Sequence, residues 1–171
     1  MKPGDKQFGK HVSVPSGKGE RVDKEISINV PVSEVYSFWV NLENLARFMP
    51  NVESVTMTGP QRSHWRVKSA GKTVEWDAEI IEQRENEMIS WRSLPGAEVD
   101  NAGSVWFEPA PDGRGTVVRV EMKYDPPAGK LGAAIAKFFG ADAEAEVEET
   151  LSRLKELLER ATTGEEQRKA A

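Results

Sequence analysis

Cysteine is absent from the 171 residues. That excludes disulfide frameworks, thiolate nucleophiles and Cys-ligated metals, and it suits a reducing compartment. Histidine is nearly absent too, with His11 and His64 alone. No run of ~18 apolar residues occurs, so no membrane span is expected. No apolar segment follows Met1, so no leader is expected and the cytoplasm is the expected location. Lys and Arg total 23 against 28 Asp and Glu, a net charge of −5. No section carries the dense basic stripe that a phosphate backbone requires, so nucleic acid is not an expected partner.

What remains is enough for one domain with a real core. Residues 1–21 hold Gly4, Gly9, Gly17, Gly19, Pro3 and Pro15 with few apolar side chains. Nothing there offsets the entropy of ordering, and a disordered tail is predicted. The same reading covers 162–171. Between them, residues 22–161 form one block without linker or repeat.

The block opens with a half-buried strand over 22–30, in which Val22, Ile26, Ile28 and Val30 alternate with polar residues and Pro31 ends the run. Two short helices follow, meeting near Asn41. Val35, Phe38, Trp39 and Leu42, then Leu45, Phe48 and Met49, fall at helical spacing, and Pro50 stops the second. From Asn51 to Asp125 the period switches to two. Strands are predicted over 51–58, 63–69, 72–83, 88–94, 102–109 and 116–125.

Ala70-Gly71 reads as a two-residue hairpin turn, and that turn fixes a register. Trp65 then faces Trp76 and Val67 faces Val74. On the other face Arg66 meets Glu75, His64 meets Asp77, and Arg62 meets Glu79. Aromatic pairs on one face and opposite charges on the other support this pairing. Short hairpins make the sheet antiparallel. After Pro126-Pro127 an apolar helical segment spans 129–140. Asp142 is placed to cap a continuation to about Ala161, on which Val147, Leu151, Leu154, Leu158 and Ala161 form one stripe. A helix so faced must bury itself against the sheet, as an α+β fold.

This order resembles the helix-grip fold of the START-like superfamily, also called SRPBCC or Bet v 1-like. That fold is a curved antiparallel sheet of about seven strands wrapped on a long C-terminal helix, with two short helices after the first strand. The local text resembles the bacterial polyketide cyclase/dehydrase branch. The segments that carry it are INVPVSEVYSFWVNLENLARFMPNVESV, VEWDAEIIEQRENEMISWRSL and GTVVRVEMKYDPPAGKLG, within residues 22–160. The resemblance implies a deep apolar cavity between sheet and helix, where family members hold lipids, quinones or polyketides.

If the helix grips the concave face, alternation names the lining. Trp65, Val67, Trp76, Ala78 and Ile80 share one face. Ile89 and Trp91, then Val118, Val120, Met122 and Tyr124, continue it. Phe138 and Phe139 come from the helix, and Trp39, Phe48 and Met49 close one end. Each is equally explained as core, but five Trp in one domain suit a pocket that stacks on a flat apolar ligand. Of Trp106 and Phe107, one must face outward, against Arg119.

Catalytic constellations are thin. His64 falls on the outer face beside Asp77, where cross-strand pairing explains it without chemistry. Glu75, Asp77 and Glu79 form a row that basic neighbours neutralise. No metal-ligand spacing appears, and no metal or cofactor is expected. Tyr36, Ser90, Arg92, Ser93, Tyr124 and Asp125 are the polar groups considered for the cavity, with Arg92 read as facing outward. No catalytic residue is assigned. The loop 94–103 is a candidate gate at the mouth. Three functions remain: binding or carriage of a hydrophobic small molecule, a polyketide cyclase or aromatase in the same cavity, or an interaction module with a filled interior.

Overall fold

The computed structural model describes residues 20–69, 72–97, 99–125 and 143–170. Seven strands form one curved antiparallel sheet: β1 (Glu20–Ile28), β2 (Val52–Met57), β3 (Arg62–Ser69), β4 (Lys72–Arg84), β5 (Met88–Ser93), β6 (Asp100–Pro109) and β7 (Thr116–Asp125). Their spatial order is β1-β7-β6-β5-β4-β3-β2. The chain therefore crosses once from one edge to the other, then meanders back until β7 lies beside β1. Helix α1 (Val32–Val40) and a 3₁₀ helix (Leu42–Arg47) carry that crossing. Helix α2 spans Ala143–Ala170. This is the helix-grip architecture. No described helix is long and apolar enough to cross a membrane.

Local chemistry accounts for the boundaries. Pro31, at φ −57° and ψ 148°, leaves β1 and caps α1, and its carbonyl accepts from the amides of Glu34 and Val35. The 3₁₀ helix ends at Arg47, ahead of Pro50. The β3–β4 register pairs Trp65 with Trp76, Val67 with Val74, His64 with Asp77 and Arg66 with Glu75, as the hairpin reading requires. The turn residues themselves lie outside the described residues. In β4 the register slips between Ile80 and Glu82. The bulge returns Gln83 to the concave side, where its Nε2 donates to the Tyr36 hydroxyl at 2.9 Å.

The concave face and the helices make the core. Helix α2 packs along β1, with Leu151, Leu154 and Leu158 buried. Lys155 Nζ donates to the Ser27 carbonyl at 3.0 Å. Two helix expectations are corrected. The stripe stops at Leu158, because Ala161 is exposed. The helix does not stop with it: 162–170, read as a disordered tail, continues as helix. The apolar segment 129–140 and residues 1–19 of the predicted tail lie outside the described residues, while Glu20 and Arg21, read as the end of that tail, open β1.

The convex face is polar. Arg119 reaches Asp23 with two hydrogen bonds, 3.1 and 2.9 Å, and Glu121 at 2.7 Å. Trp106 lies opposite Arg119 in the register, while Phe107 is buried inward against Tyr36 and Trp39.

Candidate functional site

A cavity of about 130 Å³ lies between the concave face, the 3₁₀ helix and α2. Cavities of roughly 150 Å³ lined by apolar side chains accept a benzene-sized molecule. Alternation puts one residue in two of each strand on its wall. β3 contributes Ser63, Trp65 and Val67, and β4 contributes Trp76, Ala78 and Ile80. Ile89 and Trp91 follow from β5, Asn101 from β6, and Val120 and Met122 from β7. Trp39, Leu42, Leu45 and Met49 close one end, and Val147, Thr150 and Leu151 of α2 close one side. Half-buried Met49, Asn51, Trp65, Glu146 and Thr150 mark the mouth.

Eleven of the residues read from sequence thus line it: Trp39, Met49, Trp65, Val67, Trp76, Ala78, Ile80, Ile89, Trp91, Val120 and Met122. Phe48, Val118 and Tyr124 do not reach it. Phe48 is buried behind Trp39, with ring centroids 5.5 Å apart. Tyr124 points inward, but it is completely buried. Phe138 and Phe139 lie outside the described residues. Alternation reports which face a side chain takes, not whether a neighbour covers it. The lining also takes in Leu42, Leu45 and Leu151, which the sequence reads only as helix-face positions, and Ser63, Asn101 and Thr150, which it does not single out. Ser63 and Asn101 sat in register with named residues, and the period-two signal already placed Ser63 beside Trp65.

Two polar groups on the wall, Ser63 and Asn101, are turned toward the tryptophans. The Trp65 indole N–H donates to Ser63 Oγ at 2.9 Å, and that of Trp91 donates to Asn101 Oδ1 at 3.2 Å. Asn101 Nδ2 donates to the Val99 carbonyl at 3.0 Å. Buried polar atoms cost free energy unless paired, and these pairs leave the rings to present hydrocarbon faces. The Trp65 and Trp76 rings are stacked, 9° from parallel.

The other polar candidates lie elsewhere. Ser90 is on the convex face, where its hydroxyl pairs with that of Ser104 at 2.6 Å. Tyr36 is buried against Phe107. Arg92 faces outward and holds Glu79, with Nε–Oε1 2.6 Å, so Glu79 pairs with Arg92 across β5. Ser93 Oγ accepts from the Asn101 amide at 3.0 Å. The proposed gate loop is shorter than expected, because β6 starts at Asp100. His64 stands on the convex face between Asp77 and Glu75, which raise its pKa above the usual 6.5 through hydrogen bonds, Asp77 the more strongly. Among the described residues, no three His, Cys, Asp or Glu gather to hold a metal.

Comparison with known proteins bears on the family and the fold. The profile of the family described as polyketide cyclase/dehydrase and lipid transport matches residues 28–151. An uncharacterised 17.2 kDa protein of Streptomyces lincolnensis is 33% identical over 106 residues, 62% of this chain and 69% of that one. A Deinococcus radiodurans protein of known crystal structure is 30% identical, with a TM-score of 0.68 over 83% of this chain and 99% of its own. A START superfamily protein of Mycobacterium smegmatis, at 14% identity, shares the fold with a TM-score of 0.68 over 84% and 99% of the two chains. The chain belongs to the polyketide cyclase/dehydrase and lipid transport family.

Proposed function

We propose that this protein binds an apolar small molecule in the cavity between the sheet and α2, and that the tryptophans and aliphatic residues of its wall are the contacts. The observation that carries this reading is a cavity whose indole N–H groups at Trp65 and Trp91 are both occupied by Ser63 and Asn101. Such a wall rewards burial of hydrocarbon and penalises a polar group that finds no partner.

Magnitudes set the experiment. A ligand that buries ~200 Å² of apolar surface gains about 5 kcal/mol at ~25 cal/mol per Å². Before the cost of ordering, that is a dissociation constant in the high-micromolar range. A single-ring ligand would wash out; a molecule retained through purification must bury more. Native mass spectrometry of protein purified from its own host, before and after denaturing extraction, is expected to show a retained apolar mass. Titration with the neutral dye N-phenyl-1-naphthylamine is expected to saturate at one site, and extracted ligand should displace the dye. Absence of both retained mass and saturable dye uptake would overturn the reading.

A further inference from the structure

Trp91 departs from the usual posture of a strand side chain, which stands roughly perpendicular to its sheet. It is rooted on β5, opposite Gly103 of β6. A Cβ placed on Gly103 would fall 2.6 Å from Trp91 Cζ2, and nearer still to Cη2. The six-membered ring therefore occupies the space that any side chain at 103 would need. Two residues back along β6, Asn101 Oδ1 takes the indole N–H at 3.2 Å. The ring is thus attached at one strand and touches the next along its Nε1–Cζ2 edge. Adjacent strands lie only ~4.8 Å apart. An indole spanning that gap with both ends close to the backbone lies near to parallel with the sheet. The same ring lines the cavity.

Two features of β6 accommodate this posture, and a Cβ on Gly103 would also fall 2.8 Å from the Glu121 carbonyl oxygen of β7. A glycine inside a strand weakens it, and its presence marks a close approach by another group. Asn101 is 4% exposed, and a buried amide costs free energy unless its groups are paired. Its Nδ2 donates to the Val99 carbonyl at 3.0 Å, and its backbone N–H donates to Ser93 Oγ at 3.0 Å. Those bonds fix which way the amide points, so the acceptor oxygen meets the indole N–H.

We propose that Trp91, laid over Gly103 and latched by Asn101, is the seat on which the ligand rests, and that this seat makes the cavity select a planar ring over a globular one. Asn101 and Gly103 are positioning residues: they set the ring, and the ring meets the ligand. The proposal rests on the reading of the cavity as an apolar binding site, and adds to it the shape of the ligand and the residues that enforce it.

Calorimetric titration with two alcohols of equal carbon count separates the possibilities: 2-naphthol, which is flat, and 1-adamantanol, which is globular. Wild-type protein is expected to bind 2-naphthol more tightly. Gly103→Ala and Asn101→Leu, each shown folded by its near-UV circular dichroism, are expected to reduce that preference roughly five- to tenfold, the worth of one aromatic stacking contact. Affinity for 1-adamantanol should stay within about twofold. A merely structural role would weaken both alcohols together and leave their ratio unchanged; that result overturns the seat. Wild-type protein that binds both equally also overturns the seat while leaving the binding site standing. Wild-type protein that binds neither overturns the binding reading, and the seat with it. Should Gly103→Ala not fold, Asn101→Leu decides alone, since it adds no atom at the crowded position.

Discussion

The indole rings of Trp65 and Trp76 stack across β3 and β4 with centroids 5.9 Å apart and planes 9° from parallel. They are direct partners in the hairpin register. Trp76 is 6% exposed and Trp65 is half-buried at the mouth. Trp76→Ala removes the inner ring of the pair and leaves a hole in the wall. We expect a loss of about 3–5 kcal/mol, the cost of truncating a large buried aromatic. The melting temperature should fall by roughly 10 °C, and dye uptake should weaken. Near-wild-type melting would show that the pair does not hold the wall together.

That pair was legible from the sequence because a two-residue turn and period-two alternation act over a dozen neighbouring residues. The register of one hairpin then named Trp65, Val67, Trp76, Ala78 and Ile80 together. Features that depend on distant strands were not legible. Gly103 and Trp91 meet only after β5 and β6 pair, and nothing local to Gly103 announces an indole above it. The bulge at Ile80 and Glu82 re-aims Gln83 toward Tyr36, which no alternation rule anticipates. Glu79 illustrates a competition: the sequence offered it Arg62 across β3, and the fold also offers Arg92 across β5. Arg92 takes the carboxylate, with Nε and Nη2 both 2.6 Å from Oε1. The C-terminal helix was cut short because its apolar stripe ends, although helical backbone needs no stripe once nucleated.

His64 should make stability pH-dependent. Its Nδ1 meets Asp77 Oδ1 at 2.9 Å and its Nε2 meets Glu75 Oε1 at 3.1 Å. Both contacts are satisfied only when both ring nitrogens carry protons, and Arg66, which shares Glu75 at 3.4 Å, is the cation nearby. The folded state therefore binds the His64 proton more tightly than the unfolded chain, whose value is near 6.5. Stability from this group is full below that value and is lost as pH rises through the raised folded value. The side chain is 35% exposed, so the effect should stay below about 1 kcal/mol. The difference in unfolding free energy between wild type and His64→Gln, measured by denaturant titration at several pH values, should shrink as pH rises above ~6.5. Dye affinity should not change, because His64 lies on the face opposite the cavity. A difference that grows with pH would refute the assignment.

Arg119 ties β1 to β7 on the convex face. It holds Asp23 with two hydrogen bonds and reaches Glu121, whose side chain is only 3% exposed. Arg119→Met removes the cation and leaves the buried Glu121 carboxylate to be desolvated without it. We expect a loss of about 2–3 kcal/mol, less than the ~3–5 of a fully buried pair because 30% of the Arg119 side chain meets water. Adding Glu121→Gln to that variant should recover part of the loss, since the charge is then gone. A double-mutant cycle at neutral pH measures the coupling. Independent, additive effects would show that the two groups do not act as a pair.

Thr116 closes the fold at the other end of the same strand pair. It is completely buried, and its hydroxyl donates to the Val30 carbonyl at 2.7 Å. That carbonyl lies in the turn from β1 into α1, just ahead of Pro31, which has no N–H to offer. Packing here is tight: a Cβ on neighbouring Gly115 would fall 2.5 Å from the Ile28 carbonyl oxygen. Water therefore has no room to replace the hydroxyl. Thr116→Val keeps the shape and removes the donor, so the Val30 carbonyl is buried unpaired, at about 1–3 kcal/mol. Thr116→Ser keeps the donor and removes one methyl group, at about 1 kcal/mol. Chemical denaturation should rank the Val variant below the Ser variant, although Val is the closer isostere. The reverse order would mean that packing, and not the hydrogen bond, fixes the entry into the crossing helices.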